Sequence, residues 1–220
     1  MALSDENERT FVFADLSGFT AMTESHGDDD AAAIAIRFAD LARSCLSDGV
    51  RVVKTIGDAV MLVAPQPGPA LRSAIALRTA VQSEPRFPLL RTGVHHGPCA
   101  ERAGDFFGAA VNLAARVAGH AQAGQLLVTS SVVGAVQTLP GLSVRDLGLA
   151  AFKNVSVPVK VFEVVCPDAA GALTVDPVCR MRIKETEAVA RFVHAGRAYI
   201  FCSDECARTF LGAPERYASR

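Results

Sequence analysis

Short apolar blocks bounded by Gly and Asp alternate along this chain with stretches in which apolar residues recur every three or four positions. Thr10–Asp15 (TFVFAD) is a continuous, mostly apolar run ending at Ser17-Gly18, the signature of a buried strand. Asp28–Asp30 place negative charge at a helix start. Ala31–Leu46 then carries Ile34, Phe38, Leu41, Ala42 and Cys45 at helical spacing. Gly49–Ile56 and Ala59–Ala64 read as two strands joined at Gly57-Asp58, a hairpin turn. The segment Pro65-Gln-Pro-Gly-Pro69 stops the second strand. Ala70–Val81 is helical again, and Leu89–His95 is a strand ended by Gly97-Pro98.

The order β-α-β-β-α-β predicts an α+β, ferredoxin-like core with helices on one face of a mainly antiparallel sheet. A second helix-strand series follows at Ala109–Ala121 and Gln125–Thr129, with a last strand at Val159–Val165. The stretch CPDAAGALT, from Cys166 to Thr174, is small-residue, contains Pro and Gly and lacks periodicity. It divides the chain into an expected domain at 1–166, a linker at 167–173 and a small domain at 174–220.

Composition narrows the class. Half of the 220 residues are apolar, enough for a packed core, and no apolar run reaches the roughly 18 residues a transmembrane helix needs. A net charge of −1 leaves no basic footprint for nucleic acid. The opening Met1–Arg9 is acidic, unlike an export signal, so a cytoplasmic protein without membrane insertion is expected. Cys45, Cys99 and Cys166 lie scattered in apolar surroundings and read as reduced core thiols. Cys179, Cys202 and Cys206 cluster near the C-terminus and read as a metal site rather than a disulfide framework.

Three constellations carry candidate chemistry in the first domain. Taken singly, Asp15 and Asp58 are ordinary turn residues. In the predicted sheet, however, the first and third strands are neighbours, which brings the two carboxylates together. Carboxylates that close repel unless they share a proton or hold a cation, and hard divalent ions suit them. Lys54 precedes the same hairpin turn. Asn112 and Arg116 stand i,i+4 on one face of an Ala-rich helix, where a guanidinium suits phosphate; an exposed carboxylate is the alternative partner. No G-x-x-x-x-G-K-[ST] loop is present. His95 and His96 read as structural.

FADLSGFT, KTIGDAV, RTGVHHG and FFGAAVNLAARV, in this order, resemble the catalytic domain of class III adenylate/guanylate cyclases, and LSVRDLGLAAFKNVSVPVKVFEV resembles the tail of its bacterial members. The resemblance implies that Asp15 and Asp58 bind two Mg²⁺ or Mn²⁺ ions per site and that Lys54 and Asp105 read the purine. It further implies that Asn112 positions the ribose and Arg116 stabilises the pentavalent phosphate. Lys plus Asp goes with adenine in this family; guanylate-forming members carry Glu and Cys. It also implies a homodimer, one protomer giving the aspartates and the other the Lys, Asp, Asn and Arg.

At the C-terminus, Cys202-x3-Cys206 places two thiols on one helix face, and Arg191–Cys202 reads as a strand pair turning at Ala195-Gly196 that brings Cys179 near the helix start. Asp176-Pro-Val-Cys-Arg-Met181, Tyr199-Ile-Phe-Cys-Ser-Asp-Glu-Cys206, Phe210 and Pro214-Glu-Arg-Tyr217 together resemble a YHS domain, a relative of TRASH modules. Arg180 departs from the Gly common in that family. The expectation is a treble-clef-like β/α module holding Zn²⁺ or another thiophilic metal through Cys179, Cys202 and Cys206. Water, Asp176, His194 or no group at all remain alternatives as the fourth ligand. The whole chain reads as an adenylate cyclase, with ATP as substrate, carrying a metal-binding module that tunes it. The alternative is a metal sensor or metal-handling protein whose cyclase-like domain supplies dimerisation or nucleotide binding.

Overall fold

The structure, a computed structural model, describes residues 8–166 and 173–218. The acidic opening (1–7) and nearly all of the expected linker (167–172) lie outside the described residues; Leu173 already begins a strand. The first part runs β1 (Glu8–Leu16), α1 (Phe19–His26), α2 (Asp28–Ser44), β2 (Arg51–Ile56), β3 (Ala59–Ala64), α3 (Pro67–Ser83) and β4 (Leu90–Pro98). It continues with a small hairpin of β5 (Ala100–Arg102) and β6 (Asp105–Phe107), then α4 (Ala109–His120), β7 (Leu126–Thr129), α5 (Ser130–Gln137), β8 (Ser143–Ala150) and β9 (Val159–Val165).

The main sheet has the order β2-β3-β1-β4-β7-β9-β8, antiparallel throughout except for the parallel pair β4–β7. Its first four strands have the connectivity expected from the hairpin at Gly57-Asp58. Asp15, at the end of β1, pairs with Ala59 on one side and Arg91 on the other, so the residue after the hairpin turn sits against it. The alternation of β1 sorts its side chains onto two faces. Val12, Ala14 and Leu16 pack with Leu62, Val60, Leu71 and Leu77 under α2, α3 and α5. Phe11 packs with Met61, Val63, Ala110 and Ala114 under α4.

The helices are therefore not confined to one face: α4 covers the other. Its buried residues are Ala110, Ala114, Val117 and Ala118, and it crosses β4 at Gly93, where a Cβ would stand 2.1 Å from the Ala118 nitrogen. Small residues on both elements make that approach possible. β4 also runs on through Gly97 to Pro98, because Gly97 and Pro98 pair with Arg9 and Glu8 at the sheet end. Cys45, Cys99 and Cys166 are half-buried, packed against the edges of the apolar clusters rather than inside them.

The second part folds as β10 (Leu173–Val175) with β11 (Arg182–Lys184), and β12 (Ala190–His194) with β13 (Arg197–Phe201) turning at Ala195-Gly196. Helices α6 (Asp204–Gly212) and α7 (Pro214–Ala218) complete it. Ser203 caps α6 by accepting from the Cys206 amide at 3.1 Å. Tyr199, Phe201 and Phe210 form its aromatic centre. The module is seated on the first part. Met22 and Ala31 are buried in its apolar cluster, the Arg182 amide donates to the Phe87 carbonyl, and the Arg182 guanidinium donates to the Gln82 carbonyl at 2.6 Å. Arg86 donates to the Cys202 carbonyl at 3.1 Å. No helix among the described residues is long and apolar enough to cross a membrane.

Candidate active site and thiolate cluster

Asp15 and Asp58 are brought together as the strand order requires: Asp15 pairs with Ala59, and the Leu16 amide donates to the Asp58 carbonyl at 3.2 Å. Burial, followed by the hydrogen bond and charge of Asp15, raises Asp58 to about 6, with Arg91 working in the opposite direction. Arg91 reaches across from β4 and donates to Asp15 Oδ2, at 2.5 Å from Nε. Two neighbouring carboxyl groups, with Arg91 on Asp15, form a hard-oxygen donor set that fits divalent cations. Arg91 opens the RTGVHHG motif but went unremarked in the sequence, because its meaning lies in its register opposite Asp15. A cavity of about 740 Å³ lies beside Asp58 and Arg91, floored by the loop Leu16–Thr20 and walled by Arg180 of the second part.

Lys54 and Asp105 also meet. Lys54 Nζ donates to Asp105 Oδ2 at 2.6 Å, while Asp105 Oδ1 accepts from the Phe106 amide at 2.8 Å. These two bonds hold the Asp105 carboxyl below its usual range. The local chain arranges the encounter. The pairing of β2 with β3 shifts register between Val52 and Lys54, a bulge that re-aims Lys54. The β5–β6 hairpin turns through Ala103 and Gly104, both at positive φ, and is anchored by buried Phe106 edge-on to Phe11. Ile56 and Phe107 stay 61% and 54% exposed beside this pair, an apolar surface left open on one chain.

Asn112 and Arg116 lie along one face of α4, as their spacing requires. They line a groove of about 530 Å³ with His120 and Phe152, and a second cavity of about 400 Å³ with His95 and Asn154. The cavity beside Asp58 is a separate one. His95 is structural: it hydrogen-bonds Thr129 Oγ1 at 2.7 Å, and burial, then His96, lowers it to about 4.

In the second part the three cysteines are buried and converge. Cys179 Sγ is 3.4 Å from Cys202 Sγ, which is 3.8 Å from Cys206 Sγ. The protein candidates for a fourth donor lie elsewhere. The buried Asp176 carboxylate is engaged by backbone: Oδ1 accepts from the amides of Val178 and Cys179, and Oδ2 from Cys202 at 2.8 Å. His194 packs edge-on against Phe210 and faces Glu215. The nitrogen beside the thiols belongs to His26, at the end of α1: its Nε2 is 3.3 Å from Cys202 Sγ and 3.9 Å from Cys206 Sγ. All four donor atoms lie within 4.8 Å of one another. A tetrahedral site with metal–sulfur bonds of about 2.3 Å has edges of about 3.8 Å, so this donor set fits one thiophilic ion. Hydrogen bonding to Cys202 and Cys206 pushes the Cys179 thiol up, while hydrogen bonds to Cys179 and Cys202 pull Cys206 down. His26 stands 153 positions from Cys179, and no spacing in the sequence ties it to the cysteines.

Comparison with known proteins agrees with this geometry. Residues 2–154 match the adenylate and guanylate cyclase catalytic domain, and residues 174–220 match the YHS domain. A pH-sensitive adenylate cyclase of Mycobacterium tuberculosis is 45% identical over 131 residues, 60% of this chain and 33% of that protein, so the chain spans about a third of that relative's length. A copper-transporting P-type ATPase of Rhizobium leguminosarum is 41% identical over 49 residues, 22% of this chain and 6% of that protein. Among solved structures, the adenylyl cyclase CyaB of P. aeruginosa superposes with a TM-score of 0.63 at 22% identity, covering 74% of this chain and 95% of that one; this likeness is one of fold. The chain thus belongs to the adenylate and guanylate cyclase catalytic-domain family and carries a YHS domain after its catalytic domain.

Proposed function

We propose that the protein is an adenylate cyclase, converting ATP to 3′,5′-cyclic AMP and pyrophosphate at two composite sites of a homodimer. The observation that carries the choice of ATP is the preformed Lys54–Asp105 pair. An ammonium donates and a carboxylate accepts, which suits the N1 acceptor and N6 amino donor of adenine and opposes the guanine edge. Asp15 and Asp58 would hold two divalent cations, which would supply charge neutralisation of the triphosphate and a lowered pKa for the attacking 3′-hydroxyl. Asn112 orients the ribose for in-line attack on the α-phosphate. Arg116, one helical turn further on, donates to the phosphate oxygens as charge builds there. The cysteines of the YHS module would hold a separate, thiophilic metal.

The dimer is supported by the separation of the cavities. In one chain, Asp58 and the Asn112–Arg116 pair line different cavities, and exposed Ile56 and Phe107 flank the purine-reading pair. A head-to-tail partner would unite the aspartates of one protomer with the α4 face of the other. Complementation tests this reading. Asp58→Ala and Arg116→Ala proteins are each inactive. Their mixture regains about a quarter of wild-type cyclic AMP formation, because half the dimers are mixed and each has one intact site. A mixture that stays inactive, although mixed dimers form, would contradict the composite site.

A further inference from the structure

We propose that His26 is the fourth ligand of the thiolate site, so that one soft or borderline cation is held jointly by the cyclase domain and the YHS module. The inference rests on the metal-site reading of that module and extends it across the domain boundary. Its basis is geometric. Four of the donor separations run from 3.3 to 3.9 Å and all lie within 4.8 Å, near the edges of a thiolate–imidazole tetrahedron. The three cysteines alone leave one corner open, and the imidazole occupies it.

The surrounding chain is built to keep those donors in place. Gly27, at φ 86°, ends α1 immediately after His26 and starts α2, so the helix terminates where the ring meets the sulfurs. On the module side, the Asp176 carboxylate ties the turn bearing Cys179 to the strand end bearing Cys202 through three amides. Around the cluster, Met22 and Ala31 on one side and Phe201 and Phe210 on the other exclude water.

The position of the site gives the metal a route to catalysis. α1 is capped by Gly18, three residues beyond Asp15, and ends at His26. The residue after Cys179 is Arg180, whose side-chain stem lies against Gly18: a Cβ there would stand 2.3 Å from Arg180 Cγ. Arg180 also lines the cavity beside Asp58 and Arg91. A cation bound by both domains therefore fixes both the loop after Asp15 and a guanidinium at the cavity where the triphosphate binds. Arg180, commonly Gly in the YHS family, acts here as a positioning residue reporting metal occupancy.

Cobalt(II) titration of the reduced full-length chain tests the ligand set directly. Wild type takes up one equivalent with intense visible bands of a tetrahedral ion and thiolate charge-transfer absorption. His26→Ala weakens binding by about tenfold or more and loses the tetrahedral bands. His26→Cys restores tight binding with the stronger charge transfer of four thiolates. Hydrogen exchange with zinc provides a second readout: zinc slows amide exchange in α1 of wild type but not in that of His26→Ala. Unchanged affinity and spectrum in His26→Ala would overturn the proposal, as would binding that persists without protection of α1. Neither readout uses nucleotide, so a failure to form cyclic AMP would count against the cyclase reading and leave this one standing.

Discussion

The Lys54 ammonium lies 2.6 Å from the Asp105 carboxylate, across the gap between the bulged end of β2 and the β5–β6 hairpin. Both side chains are about one-third exposed, so solvent screening leaves the pair little effect on stability. Its value is a matched donor and acceptor held at fixed spacing before any base arrives. Replacing Lys54 with Glu and Asp105 with Cys should lower the ATP-to-GTP ratio of kcat/KM by about a hundredfold while moving Tm only slightly. Steady-state kinetics with both nucleotides checks this; an unchanged ratio would remove the pair from base recognition.

Asp58 provides a pH prediction. Its folded-state pKa of about 6 lies above its ordinary value of 3.8, so the metal-free native state takes up a proton that the unfolded chain has released. Without divalent metal, this contribution to stability is fully present below about pH 4, declines as pH rises toward 6 and is gone above it. Asp58→Asn lacks the penalty: its Tm advantage over wild type should grow between pH 4 and 6 and then level off. Cations compete with the same proton, so Mn²⁺ affinity should fall by up to about tenfold per pH unit below 6. Melting curves and Mn²⁺ titrations across this range test both statements.

Gly18 is constrained twice, by φ of 81° and by the Arg180 stem. Gly18→Ala should destabilise the chain by about 1–3 kcal/mol. Arg180→Ala in the same chain should return part of that loss by removing the Cγ, leaving the backbone strain and a tight 3.0 Å contact with the Cβ at position 180. A double-mutant cycle by chemical denaturation measures the coupling; zero coupling would mean that the two domains do not meet at this point.

The sequence disclosed those parts of the protein that rest on local pattern. β1 and β3 carry continuous apolar runs, and the hairpin at Gly57-Asp58 brings Asp58 to the end of β1 that bears Asp15. Segments with weaker local signals were missed. α1 is a short helix with one fully buried residue, Met22, and β8 is a largely exposed edge strand interrupted by Gly148 at positive φ. α5 (SSVVGAVQ) is too short for its apolar period to show. The face chosen by α4 depended on Gly93, whose role appears only when Ala118 lies above it. The site residues divide in the same way. Asn112 and Arg116 share a helix face by spacing; Cys202 and Cys206 meet as their interval suggests, although Cys202 lies between β13 and the Ser203 cap and only Cys206 is on α6, whereas Arg91, Arg180 and His26 acquire meaning only from long-range contacts.

The most direct test of the central claim is cyclic AMP formation from ATP by the purified chain with Mg²⁺ or Mn²⁺, beside an Asp58→Ala control. The account predicts product from the wild type and at least a thousandfold less from the control, since the control loses a carboxylate that holds the metals. A well-folded, nucleotide-binding dimer that forms no cyclic AMP would contradict it.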